Sequence, residues 1–193
     1  TQSLVIIDDK RQAFAYFSDR GTLPLVVRGI DGVGSIDAIA TSGGNLYLLD
    51  VKQNQIWRYL PGQSGFDSER AGLLETADLP NAIELAVGQD VFVLDNKLGI
   101  RRFVAKTEAE FPLAGIDVPL ASPASLSVLP GSNRIVVADR SNKRVVVASD
   151  KGVFLRQIVS PSFTDLRAVT VDEGNGIIYV LNGDTLLKAP FPP

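Results

Sequence analysis

Five segments of the chain repeat one pattern of apolar and polar positions. Each starts with an apolar run, continues with an Asp or Asn and a short polar turn, and ends with a second run that alternates apolar and polar residues. The segments are LVIIDDKRQAFAYF from Leu4, LYLLDVKQNQIWRYL from Leu46, VFVLDNKLGIRRFVA from Val91, RIVVADRSNKRVVVA from Arg134 and IIYVLNGDTLLKAP from Ile177. Short β-rich runs on either side of a polar turn predict β-hairpins.

The hairpins recur with a nearly constant period. Their polar residue stands at Asp8, Asp50, Asp95, Asp139 and Asn182, which gives separations of 42, 45, 44 and 43 residues. A period of this length, made only of strands and turns, is typical of the blades of a β-propeller. The sequence therefore predicts an all-β chain in which five blade repeats are visible.

A propeller blade has four strands, so each hairpin needs an inner strand before it and an outer strand after it. Inner strands are predicted at Ala38–Thr41, Ile83–Val87, Leu126–Leu129 and Ala168–Val171. Outer strands are predicted at Leu23–Val27, Ala71–Glu75, Phe111–Ile116 and Phe154–Val159. No segment has a long apolar period of 3.6 residues, so we expect almost no helix.

The predicted strands do not fill whole blades. Eighteen are visible, because the first repeat lacks an inner strand and the last repeat lacks an outer strand. We therefore expect residues 1–193 to be a single domain forming most of a six-bladed ring, with roughly 60 residues missing before Thr1. A self-contained five-bladed ring with two imperfect blades is the alternative. Open edges in the first and last blades are expected to favour association with another chain.

The composition removes many common active sites and several classes of partner. The chain has no Cys and no His, so it has no thiol nucleophile, zinc finger, Ser-His-Asp triad or imidazole base. Its net charge of −3 argues against nucleic-acid binding, which needs a basic surface. The longest clean apolar run, Ile177–Leu181, is far too short to span a bilayer, so we expect no direct membrane insertion of this chain.

The repeated polar residue and the single tryptophan are both predicted to be structural. An Asp or Asn at a strand end accepts hydrogen bonds from the backbone N–H groups of the following turn. Trp57 lies in a predicted strand, and we expect its large ring to pack between adjacent blades.

Four residues are placed by register where the inner strands lead into the central channel: Asp37, Glu84, Ser125 and Arg167. This mixture suits a polar small molecule or a peptide terminus, although an ordinary solvated channel mouth has the same composition. Propeller lactonases of the gluconolactonase type hold a divalent cation in the channel with carboxylates and amides, and Asp37 with Glu84 would supply oxygen ligands. The further acid and Asn of such a site cannot be placed by spacing. We therefore predict no catalytic residue, no metal and no cofactor.

The stretch DRSNKRVVV from Asp139 resembles an NHL-type repeat, and residues 50–59 resemble it with one insertion. More narrowly, LYLLDVKQNQIWRY, DVFVLDNKLGIRRF, RIVVADRSNKRVVV and DLRAVTVDEGNGIIYVLNG, ending LLKAPFP, resemble the C-terminal propeller of certain bacterial membrane proteins. Their N-terminal part is a metal-dependent serine/threonine phosphatase-like domain. The resemblance implies an extracytoplasmic sensing or binding domain. No metal-binding Asp motif of the phosphatase is present, so no phosphatase activity carries over.

These observations predict a non-catalytic propeller that binds or senses a ligand or a protein, and not an enzyme. We expect it to be the extracytoplasmic part of a larger membrane protein, with a cytoplasmic location left open. The expected partners are a protein or a polar small molecule. A metal-dependent hydrolase of the propeller lactonase type is the alternative function.

Overall fold

The computed structural model describes residues 3–191, and nineteen β-strands in this range form five sheets. The first sheet has the order β1 (Leu4–Ile7), β2 (Ala13–Phe17), β3 (Gly21–Val27) and β7 (Gly65–Phe66). The second contains β4 (Ala38–Ser42), β5 (Asn45–Asp50), β6 (Gln55–Tyr59) and β8 (Ala71–Gly72). The third contains β9 (Ala82–Val87), β10 (Val91–Asp95), β11 (Gly99–Val104) and β12 (Thr107–Ala109). The fourth contains β13 (Pro123–Leu129), β14 (Arg134–Asp139), β15 (Arg144–Ser149) and β16 (Phe154–Val159). The fifth has only β17 (Leu166–Asp172), β18 (Ile177–Asn182) and β19 (Thr185–Pro190).

The predicted all-β class with five blade repeats is confirmed. All five predicted hairpins pair in antiparallel register, and the four predicted inner strands form as β4, β9, β13 and β17. Within residues 3–191 the helical structure is a single 3-10 turn, Ile30–Gly32. None of it has the length and apolar character needed to cross a membrane.

The sheets fall into two compact units, which divide between Pro80 and Asn81. The first unit holds the first two sheets, and its core packs Leu46, Leu48 and Tyr59 against Ala13 and Val27. The second unit holds the other three sheets around two apolar clusters.

In the second unit, β14 shows why the second strand of a blade is apolar at nearly every position. Its residues Ile135 and Val137 belong to a cluster with Phe92 and Leu94 of the preceding sheet. The alternating residues Val136 and Ala138 belong to the other cluster, with Ile178 and Val180 of the following sheet. A strand that is covered on both faces reads as a continuous apolar run rather than an alternating one.

The outer strand predicted at Phe111–Ile116 is wrong. The chain turns sharply after β11, because Ala105 and Lys106 both adopt left-handed backbone angles, with φ of 47° and 77°. The outer strand is therefore β12, which starts only three residues beyond Val104, its last partner. Phe111 and Leu113 use their apolar side chains to fill the core beside the third and fourth sheets.

Two other outer strands also differ from the prediction. β8 covers only the first two residues of Ala71–Glu75. The amide of Leu73 still donates to the Ile56 carbonyl, but the amide of Leu74 donates to the side-chain oxygen Oε1 of Gln55, which also accepts from Leu73. The first sheet gains an unpredicted strand, β7, which pairs in parallel with β3. Gly65 of β7 has φ of 132° and lies so close to the Val26 carbonyl that a Cβ atom would stand 2.6 Å from its oxygen. Nineteen strands therefore replace the eighteen that were predicted.

Candidate functional site

Of the five polar residues at the strand ends, Asp8, Asp50 and Asp95 accept hydrogen bonds from the amides of the following turn, as predicted. Asp139 and Asn182 accept backbone hydrogen bonds from the segment before the inner strand instead. The carboxylate of Asp8 accepts hydrogen bonds from the amides of Lys10 and Gln12, at 3.0 and 2.7 Å. Asp95 accepts in the same way from Lys97 and Leu98, at 2.8 and 3.0 Å. The repeat therefore places one acceptor at the same corner of successive blades.

Three of these corners also fix the segment that leads into the inner strand of their own sheet. Asp50 accepts from the Gly34 and Ser35 amides, Asp139 from the Ala121 amide, and Asn182 from the Thr164 and Asp165 amides. Burial raises the pKa of Asp50, but the hydrogen bonds from Trp57, Gly34, Ser35 and Gln53 outweigh this and hold its pKa below the usual value. In these three blades the corner side chain thus links the end of the second strand to the segment before the inner strand.

Trp57 packs against the core of the first unit, as predicted. Its ring nitrogen donates to Asp50 at 3.0 Å, and the guanidinium of Arg70 lies 4.4 Å from its ring centre. The ring is therefore held between an acid and a base, and we assign it a structural role.

The structure brings together two of the four residues predicted at the channel mouth. Glu84 on β9 and Ser125 on β13 lie 3.4 Å apart, with the serine hydroxyl donating to the carboxyl oxygen Oε1. The other carboxyl oxygen accepts from the amide of Leu126. The hydroxyl of Ser125 also accepts from the amide of Val169 on β17, at 3.2 Å. A polar path therefore runs across all three inner strands of the second unit.

Glu84 is electrostatically unusual. Burial between the strands raises its pKa to about 7 from the usual 4.5, although its hydrogen bonds from Leu126 and Ser125 favour the charged form. The side chain is still partly exposed. A carboxylate has about four acceptor positions, so two protein donors leave room for another donor. Near neutral pH the group can accept a hydrogen bond when charged and donate one when protonated.

Asp37 and Arg167 do not join this path. Asp37, in the first unit, accepts from the Ser35 hydroxyl at 2.5 Å and the Val51 amide at 2.8 Å. Arg167, in the second unit, is exposed and forms ion pairs with Asp165 at 2.8 Å and Asp184 at 3.1 Å. These two acids compensate the charge of Arg167. They were not foreseen, because strand register alone does not reveal which neighbours a side chain meets.

Within the described residues, no group of three or more Asp, Glu, His or Cys side chains is arranged to hold a metal ion. The donor set that a propeller lactonase needs is therefore not found among residues 3–191. Each of the two acids suggested for it, Asp37 and Glu84, has hydrogen-bond partners from its own unit.

No sequence pattern indicates that two arginines of the first unit bind the backbone of one loop. Six successive carbonyl groups, residues 29–34, point at two guanidinium groups. Arg11 donates to four of them at 2.6 to 3.2 Å, and Arg70 donates to the carbonyls of Gly29 and Gly32 at 2.5 and 2.9 Å. Arginine has five donors and no acceptor, which suits a loop whose carbonyls lack strand partners.

Comparison with known proteins identifies the fold and no family. No protein-family model matches the chain, and no curated protein matches it in sequence. Solved structures do match. A chain from the crystal structure of a nidogen/laminin complex has a TM-score of 0.70 at 13% identity, over 93% of this chain and 69% of that one. A virginiamycin B lyase from Staphylococcus aureus with quinupristin has a TM-score of 0.57 at 12% identity, over 96% and 68%. A streptogramin B lyase has a TM-score of 0.59 at 11% identity, over 98% and 68%.

These neighbours are β-propellers. The five sheets are therefore the blades of a β-propeller. At such low identity the likeness shows the fold alone.

The prediction that the chain is not an enzyme is wrong, because the propeller architecture from which it was inferred also occurs in enzymes. The lyases among its neighbours are enzymes on the same scaffold. The propeller fold is thus compatible with catalysis, because one fold supports unrelated functions.

Proposed function

We propose that this chain is a ligand-binding propeller, and that Glu84 receives a hydrogen-bond donor of a polar ligand at the inner strands of the second unit. The observation that carries the proposal is the path from Glu84 through Ser125 to the amide of Val169. It provides a partly exposed carboxyl with spare acceptor capacity, held by the Leu126 amide and the Ser125 hydroxyl of a neighbouring strand. Preorganised acceptors of this kind bind ammonium or hydroxyl groups with little ordering cost.

The class of ligand follows from the charge of the site. A carboxylate with neutral neighbours favours a cationic donor over an anion, so an amine or the amino terminus of a peptide is the best chemical match. The nidogen/laminin neighbour comes from a protein complex, and a lyase neighbour was solved with quinupristin. Protein and small-molecule partners therefore both have precedent on this fold.

The wider setting is also part of the proposal. The resemblance of the hairpins to NHL-type repeats, and of the chain to the propeller of phosphatase-linked bacterial membrane proteins, supports a sensor domain on the extracytoplasmic side of a larger protein. In that setting the bound ligand would be an extracellular or periplasmic signal.

The test uses triglycine with a free amino terminus and N-acetyltriglycine as probes, followed by two-dimensional NMR of the amide groups at about pH 8, where Glu84 is charged. We expect free triglycine to shift the amides of Ser125 and Leu126 and the acetylated peptide to leave them unchanged. Glu84→Gln should weaken binding about 10-fold to 100-fold, the range for losing a hydrogen bond to a charged group.

Glu110→Gln is the matched control, since Glu110 is an exposed glutamate of the same unit. It should bind triglycine like the unmodified chain. Equal binding of both peptides, or unchanged binding by Glu84→Gln, would contradict the proposed site.

A further inference from the structure

The third blade departs from the repeat at the tip of its hairpin. In the other four blades the residue three positions after the corner is polar: Arg11, Gln53, Asn142 and Thr185. Three of these side chains donate hydrogen bonds to the backbone carbonyls of a loop beside the hairpin. In the third blade the residue is Leu98, which has no donor and is 68% exposed. A large apolar side chain therefore stands where the other blades keep a polar one.

Leu98 lines an open pocket of about 370 Å³ in the second unit. One wall is the turn between β10 and β11, and the other is the connection between the third and fourth blades, within residues 111–120. Two of the lining residues, Ile100 and Leu113, are buried members of the apolar cluster that joins these two blades. The pocket is therefore an opening into the core between the blades.

Both walls of the pocket are held by hydrogen bonds within the protein. The carbonyl of Pro119 accepts from Asn142 at 2.9 Å and from Arg144 at 3.3 Å. Ala114 forms two backbone hydrogen bonds, at 2.7 and 2.8 Å, with the segment that begins β16. The opposite turn is held by the carboxylate of Asp95. A pocket with fixed walls binds a ligand with little ordering cost.

The lining determines the class of ligand. Of the ten described residues that line the pocket, Lys97 alone is charged, and the others are apolar residues, prolines and one glycine. Lys97 is exposed and takes part in none of the ion pairs found among residues 3–191. A ligand with an apolar body and one anionic group matches both features, because an ammonium group binds a carboxylate by a charge-assisted hydrogen bond.

A small molecule fits this pocket better than a peptide segment does. An extended peptide binds by main-chain hydrogen bonds, but the amides of Lys97 and Leu98 already donate to Asp95. Pro112 and Pro119 have no amide hydrogen to offer. The volume of about 370 Å³ lies near the lower end of the range for small-molecule sites, which begins at about 300 Å³.

We propose that this pocket binds a small organic acid, a carboxylate attached to an aromatic or branched aliphatic group. The apolar group packs against Leu98, Ile100 and Phe111, and the carboxylate pairs with the ammonium group of Lys97. The site is separate from that of Glu84, because none of its lining residues belongs to the polar path across the inner strands. It therefore adds an anion site to the proposed amine site of the same unit.

Two-dimensional NMR of the amide groups tests the proposal with phenylacetate and phenylacetamide, which share a shape and differ in charge. We expect phenylacetate to shift the amides of Leu98, Ile100 and Leu113 and to bind at least 3-fold more tightly than phenylacetamide. Lys97→Gln should lower the affinity for phenylacetate about 3-fold to 10-fold, the range for losing a partly exposed ion pair, and leave the affinity for phenylacetamide unchanged.

The repeat itself supplies the matched variants. Leu98→Gln gives the third blade the residue that the second blade carries at Gln53, so the fold should be kept, which far-ultraviolet circular dichroism checks. It should weaken both probes at least 3-fold, because apolar contact is lost. Lys52→Gln is the control for charge, since Lys52 holds the position of Lys97 in the second blade, and it should bind both probes like the unmodified chain.

Three results would overturn the proposal. The first is that neither probe shifts the amides of the pocket. The second is that phenylacetate and phenylacetamide bind equally well, and the third is that Leu98→Gln binds both probes as tightly as the unmodified chain does.

Discussion

The carboxylate of Asp139 is fully buried and accepts hydrogen bonds from Ala121, Asn142 and Arg144, at 2.8 to 2.9 Å. Arg144 is also buried, so each charge depends on the other for its solvation. Asp8 occupies the same repeat position, but its two hydrogen bonds lie at the surface. The same residue type at the same position of the repeat therefore contributes very differently to the free energy of unfolding in different blades.

Replacing Asp139 with Ala should lower the free energy of unfolding by about 3 to 5 kcal/mol, because it leaves the Arg144 guanidinium buried without its carboxylate. Asp8→Ala should cost about 1 kcal/mol or less, since water replaces the lost acceptor. Urea denaturation of both variants measures the difference. Similar losses at the two positions would show that the ion pair with Arg144 adds nothing beyond the turn.

At the scale of strands and loops, the hairpins, the inner strands and two of the four outer strands, β3 and β16, were predictable, and the other two outer strands were not. A hairpin is specified by its own residues, as in the apolar runs on either side of Asp50 and Asp139. The two outer strands that differ from the prediction, β8 and β12, pair on one side only, and their lengths depend on contacts from elsewhere. β8 ends where Gln55 takes the next amides, and β12 begins early because of the turn at Ala105 and Lys106.

The loop of residues 29–34 should depend on Arg11 more than on any nearby base of similar exposure. Arg11→Ala removes four hydrogen bonds from carbonyls that have few other partners, and we expect a loss of about 2 to 4 kcal/mol in the stability of the first unit. Trp57 is the single tryptophan, so the denaturation midpoint followed by its fluorescence reports on that unit.

Arg20→Ala serves as the control for this loss. Arg20 also belongs to the first unit, but it pairs with the exposed Asp19 at 3.6 Å and should contribute less than about 1 kcal/mol. Equal midpoints for the two variants would mean that the carbonyls of the loop are satisfied without Arg11.

At the scale of the whole molecule, the fold followed from the period because each blade is made by residues that are close in sequence. The site was only partly predictable. Register placed Glu84 and Ser125 on neighbouring inner strands, where they meet, but gave no sign of the Leu126 and Val169 amides or of the acids beside Arg167. Contacts between blades join distant parts of the chain, and a single repeat contains no information about them.

The contribution of Glu84 to the free energy of unfolding should fall as the pH rises from about 4.5 to about 7. Burial raises the pKa of Glu84 in the folded chain to about 7, so the folded state binds the proton more tightly than the unfolded state. The stabilisation is complete below pH 4.5 and is lost above pH 7, which at about 1.4 kcal/mol per pH unit is on the order of 3 kcal/mol. Denaturation of the unmodified chain, Glu84→Gln and Glu110→Gln at pH values between these limits measures the slope. Glu84→Gln should flatten it, and an unchanged slope would contradict the assignment.

The corner hydrogen bonds have an evolutionary consequence. Asp50, Asp139 and Asn182 reach back only 16, 18 and 18 residues to Gly34, Ala121 and Thr164. One repeat of the gene thus encodes both the acceptor and the amides it must satisfy. Duplication or deletion of a whole repeat leaves no corner acceptor without its partners, so a lineage with this architecture can change its number of blades in single genetic steps.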